Sequence, residues 1–173
     1  MMGIWSGPFL IAAVLLAGAG AAKVVDPTMT VGALRGLGVR VPPIAVRGAG
    51  AAELVLAIAA ASTGAPALAV MVGISYVAFT GFVVMALTRR APIGSCGCFG
   101  KVDTPPSVIH IVVNLAAAFA AFMVAARDGD NLLATLARQP LEGVPLLLLV
   151  AVGAYAAFAA LTLVPQLRHR EGE

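Results

Sequence analysis

The chain has 173 residues, 61% of them hydrophobic and 11% charged, with a mean hydropathy of +1.01. Soluble domains carry about a quarter charged residues, so this composition excludes an ordinary water-soluble fold and points to a lipid bilayer as the solvent. The net charge of +3 is spread over short segments between apolar runs, with no basic stripe and no interleaved aromatics, which excludes nucleic acid as a partner.

A hydrocarbon core of roughly 30 Å needs about 20 apolar residues at 1.5 Å per residue. By that measure the sequence predicts an all-α fold, a polytopic membrane helix bundle, with spans at about 4–25, 44–62, 67–88, 107–126 and 144–164 in one integral membrane domain covering 1–173. The first run ends at Lys23, Asp26 and the helix-stopping Pro27; no Lys or Arg precedes Phe9, so it reads as an anchor rather than a cleavable leader. Residues 27 to 47 hold Arg35, Arg40, Arg47 and Pro42-Pro43, a loop with a short interfacial helix around Val31 to Leu37. Thr63-Gly64-Ala65-Pro66 turns the second span into the third, and so short a turn predicts that the two pack as an antiparallel hairpin. After Arg89-Arg90 comes a structured loop, then the fourth span with His110 and Asn114, a polar connection, and a fifth span that stops at Pro165. The many Gly and Ala residues in the spans are expected to serve close helix packing.

Five spans put the amino terminus, the Thr63 turn and the Arg127 to Glu142 connection on one side, with Arg127 and Arg138 alone. The opposite side carries nine of the 11 Lys and Arg: Lys23, Arg35, Arg40, Arg47, Arg89, Arg90, Lys101, Arg168 and Arg170. The positive-inside rule assigns that side to the cytoplasm. It is also the side of the loop Ser95-Cys96-Gly97-Cys98-Phe99-Gly100.

Only two cysteines occur, one residue apart, so a disulfide framework of the secreted kind is excluded. A bond between Cys96 and Cys98 requires a sharp backbone bend, which Gly97 tolerates. Closing so small a ring removes little chain entropy, so it would staple poorly; strained disulfides are the labile, redox-active ones. Redox exchange is therefore the leading reading. Two others stay open: a pair of unreacted thiols in a turn, and a Cu(I) or Zn site with His110 adding a nitrogen, for which no fourth ligand is evident.

Glu53 is the only acidic residue well inside a span, a placement that marks function by default and demands a partner. Lys23 is nearest by depth, so Glu53 is either half of an ion pair joining the first two spans or a proton acceptor for thiol chemistry. His110 and Asn114, four residues apart, share a helix face one turn beyond Ser107. They serve either interhelical hydrogen bonding or, through the imidazole, thiolate formation at Cys96 or Cys98. The chain thus brings Lys23, Glu53, Cys96, Cys98, His110 and Asn114 to one end of the bundle.

Leu16-Ala17-Gly18-Ala19-Gly20-Ala21-Ala22-Lys23-Val24-Val25-Asp26-Pro27, Ala52-Glu53-Leu54 and Cys96-Gly97-Cys98-Phe99-Gly100 ahead of a fourth span resemble the MauE family, within the wider DoxX-like membrane proteins. The resemblance covers about residues 9 to 126, with Cys-Gly-Cys-Phe-Gly its specific part. It implies a four-helix DoxX-like core plus a fifth transmembrane helix. It also implies an integral protein of the cell membrane that serves methylamine metabolism, maturing the disulfide-rich small subunit of methylamine dehydrogenase with a thioredoxin-like partner. Cys96, Cys98, Glu53 and His110 become its candidate catalytic groups, with Lys23, Asp26, Gly97, Phe99, Gly100 and Asn114 in support.

Maturation of an exported subunit places the chemistry outside the cytoplasm, whereas the charge count places the cysteines toward it. Either a quinone-linked thiol oxidase faces outward, with a quinone as cofactor, or reducing equivalents pass across the membrane from a cytosolic thioredoxin. A bundle that acts in assembly or lipid interaction, with incidental cysteines, is the non-enzymatic alternative.

Overall fold

A computed structural model describes residues 4–89, 105–127 and 140–162 of the chain. Among the described residues every regular element is a helix: α1 (Ser6–Val25), α2 (Thr28–Gly36), α3 (Pro43–Thr63), α4 (Pro66–Thr88), α5 (Val108–Ala125) and α6 (Pro140–Thr162). Five of them, all but α2, are long and apolar enough to cross a bilayer, which matches the five expected spans to within four residues at each described boundary. Exposed Val, Ile, Leu and Phe side chains ring the outside, the surface a lipid solvent requires.

The ends of the helices follow local chemistry. Prolines open α3 and α4 at their first turns, where the missing N–H would go unused. Gly64 closes α3 in the left-handed region, φ 65°, its N–H donating to the Ala60 carbonyl. The interfacial helix begins earlier than its apolar residues suggest. Asp26 accepts from the Thr28 backbone N–H at 3.1 Å and from the Thr28 hydroxyl at 2.5 Å, so the first turn forms directly after Pro27.

The central helix is α1: half of its apolar stretch is buried, against 22–39% for the other spans. It packs on α3, α5 and α6, while α4 packs chiefly on α5. Buried Leu16, Val72, Tyr76 and Ala121 anchor a core built largely from alanines, whose small side chains bring backbones together where no hydrophobic effect drives helix association. Tyr76 ties α4 to α1 by donating its hydroxyl hydrogen to the Ala12 carbonyl at 2.6 Å.

Glycines mark the closest approaches. A Cβ on Gly20 would stand 2.6 Å from the Gly50 carbonyl oxygen, and one on Gly50 would stand 2.7 Å from both the Gly20 carbonyl oxygen and Lys23 Cβ. The backbones of α1 and α3 therefore touch, and neither position admits a larger residue without moving a helix.

The hairpin expected from the Gly64 turn is only partly closed. Ala57 and Ala60 of α3 share a core with Ala69 and Val72 of α4 near the turn, but α3 commits most of its packing to α1 and little to α4. With distance from the turn the two helices leave a cleft between them. The cause is the Gly20 and Gly50 seam, which draws α3 toward α1 and away from α4. Across the far end lies α2, where Ala33 and Leu37 pack with Ala86 of α4.

Candidate functional site

At the α1 and α3 seam, Lys23 Nζ donates to Glu53 Oε2 at 2.6 Å. The same spacing produces both partners: each ionic residue lies three positions after the glycine of its own helix, Gly20 then Lys23, Gly50 then Glu53. Because the helices run antiparallel and the glycines let them touch, the two side chains meet across the seam. Their side chains are only 7% and 14% exposed, so both charges are largely withdrawn from solvent and each depends on the other. Lys23 also lies over the Phe79 ring, 5.0 Å from its centroid, an additional electrostatic contact for the ammonium.

The pair forms one wall of the cleft, a volume of about 270 Å³. Ala45, Val46 and Ala49 of α3 line one side and Ala78, Phe79 and Phe82 of α4 the other, with Thr30 and Leu34 of α2 closing the end. Apart from Lys23, Glu53 and Thr30 the lining is apolar. Arg47, the nearest charge on the α3 face of the membrane, is six residues or about 9 Å of helix from Glu53, so the ion pair lies below the charged boundary of the bundle.

His110 and Asn114 are also buried, at 2% and 8% exposure. They line a separate small pocket with Leu15, Leu16, Ala19 and Tyr76, and Phe79 is the residue common to this pocket and the cleft. The His110 Nδ1 and the Ser107 hydroxyl share a 2.9 Å hydrogen bond, a contact made by the residue that caps α5 and one that fixes the imidazole plane. Among the described residues no three His, Cys, Asp or Glu side chains come together as a metal site.

Lys23 and Glu53 are thus brought into contact, His110 and Asn114 stand behind Phe79, and Asp26 accepts from Thr28 at the start of α2. Cys96, Gly97, Cys98, Phe99 and Gly100 lie outside the described residues. The flanking helix ends are described: α4 finishes at Thr88 and α5 begins at Val108, both at the end where α2 crosses the bundle. Sequence reasoning expected span glycines to serve close packing, as Gly20 and Gly50 do here, but did not pair these two, and it passed over Phe79 and Phe82. The repeated glycine-to-charge spacing was a visible signal for the first two; the phenylalanines had none, since one apolar residue in a span resembles another.

These features define an all-α, multi-pass membrane protein with a buried ion pair beside an apolar cleft. The chain belongs to the MauE family: the family model described as methylamine utilisation protein MauE matches residues 2–127. That range takes in α1 to α5, Lys23, Glu53, both cysteines and His110, and leaves α6 outside. Neither the curated proteins nor the solved structures contain a match to the chain.

Proposed function

We propose that this protein is a thiol–disulfide exchange protein of the cell membrane that serves the maturation of a disulfide-containing partner in methylamine metabolism, with a thioredoxin-like protein as its exchange partner. The family supplies the setting in methylamine utilisation. The observation that carries the chemistry is the meeting of Lys23 and Glu53 at the end of the bundle from which the cysteine loop departs and to which it returns.

In this reading a thiolate of one cysteine attacks a disulfide sulfur of the partner, forming a mixed disulfide and releasing the partner's second thiolate. The other cysteine then attacks the mixed disulfide, leaving the Cys96–Cys98 disulfide and a reduced partner; run in reverse, the same steps oxidise the partner. Each full exchange moves two electrons and two protons. Glu53 and His110 are proposed to take or return a proton, and Lys23 to hold Glu53 in place.

Capture of the mixed disulfide tests the proposal. With Cys98→Ser, Cys96 cannot be released by its neighbour, so a covalent adduct with a thioredoxin-like protein is expected on non-reducing gels and is expected to vanish with reductant. If Cys96→Ser and Cys98→Ser each retain full function in cells and neither captures an adduct, the protein acts as an assembly factor and the exchange reading is wrong.

A further inference from the structure

We infer that the cleft between α3 and α4 is a binding site for an isoprenoid quinone, with the quinone ring against Lys23 and Glu53 and the tail leaving between the helices into lipid. Charge comes first. The ion pair is already balanced, so a carboxylate or phosphate head would bring an uncompensated charge into an apolar cleft, whereas a neutral polar head would not. Hydrogen bonding narrows the choice. The Lys23 ammonium has three N–H donors and gives one to Glu53 Oε2, while Glu53 retains Oε1 as an acceptor. A quinone carbonyl can accept from the first and a quinol hydroxyl can donate to the second, so one pair of residues serves both redox states of one ligand.

Shape agrees with that chemistry. Phe79 and Phe82 offer aromatic walls to a flat ring. The volume of about 270 Å³ lies just under the roughly 300–1,000 Å³ of sites that enclose whole ligands, which suits a head group whose tail remains outside. The rim at Ala45, Ala49 and Ala78 is exposed on the lipid-facing side of the spans, and its small side chains leave the exit open.

The role of the bound quinone rests on the exchange function proposed above. A reduced Cys96 and Cys98 pair loses two protons and two electrons as the S–S bond forms, and the two quinone carbonyls gain them and become hydroxyls. The membrane carrier then takes the electron pair away and leaves the cysteines oxidised.

The test separates binding from redox chemistry. Trp5, the single tryptophan, is replaced by Phe, and a reporter is placed either in the cleft by Phe82→Trp or on the exposed face of α5 by Phe119→Trp. Each full-length protein in detergent is titrated with a short-tailed benzoquinone, which quenches tryptophan at contact. Saturable quenching is expected at position 82 and only linear, partition-type quenching at position 119. Ala49→Phe, at an exposed rim position, fills the cleft and is expected to weaken the saturable phase at least tenfold, and a prenyl alcohol of equal tail length is expected not to compete. Equal, unsaturable quenching at both positions, full binding by Ala49→Phe, or equal competition by the prenyl alcohol would each overturn the site. Saturable binding whose quinone is reduced by added dithiol equally well with and without Cys96→Ser/Cys98→Ser would keep the site and overturn the passage of electrons from the cysteines to the quinone, while the exchange reading stands or falls on the mixed-disulfide capture.

Discussion

Gly20 and Gly50 touch backbone to backbone, and it is this contact that lets Lys23 reach Glu53 at 2.6 Å. Adding one methyl group to either glycine is therefore expected to cost about 1–3 kcal/mol, the usual range for overpacking, and to separate the ion pair as well. Thermal unfolding of purified Gly20→Ala and Gly50→Ala in detergent should show a lowered Tm. Gly18→Ala and Gly48→Ala, where a Cβ meets nothing within 4 Å, should match or exceed the parent because Ala is the better helix former.

The ion pair itself follows the asymmetry of buried charges. Removing one partner strands the other in an apolar seam, so Lys23→Met or Glu53→Leu alone is expected to lose about 3–5 kcal/mol, while the double variant loses less than either. Unfolding measurements on the two single variants and the double variant close the cycle. Additive losses would show that the two side chains do not depend on each other.

The Tyr76 hydroxyl bond to the Ala12 carbonyl bridges α4 and α1 inside the core. Tyr76→Phe keeps the ring and its edge contact with Phe79 and removes the hydroxyl that donates to Ala12. The expected loss is about 1 kcal/mol, in line with interhelical hydrogen bonds in membranes, and the same unfolding assay reads it.

Much of this architecture was legible in the residues. Apolar runs near 20 residues long set the five spans, because bilayer thickness imposes a length that sequence records directly. Glu53 demanded a partner because membrane depth penalises a lone carboxylate, and Lys23 was the nearest candidate. The splay of α3 from α4 was not legible: a short turn says that two helices are neighbours, but their angle is decided by a third helix, here α1 through Gly20. The cleft is a consequence of that angle, so Phe79 and Phe82 acquired a meaning only once the helices were placed.

Alternation of five spans predicts that reporter fusions at Thr63 and Ser95 read opposite sides of the membrane. The excess of Lys and Arg predicts that the Ser95 fusion reports the cytoplasmic side. Reports of the same side from both fusions would remove at least one span from the account.

A reversible redox pair formed by Cys96 and Cys98 is best tested by their oxidation state in living cells. Cells producing the full-length protein are quenched in acid, their free thiols are alkylated, and the chain is weighed intact by mass spectrometry before and after reduction. Two populations are expected, one with both thiols alkylated and one with neither until reduction. Their ratio should shift when the thioredoxin-like partner is removed. A chain with both thiols alkylated under every condition would contradict the redox pair.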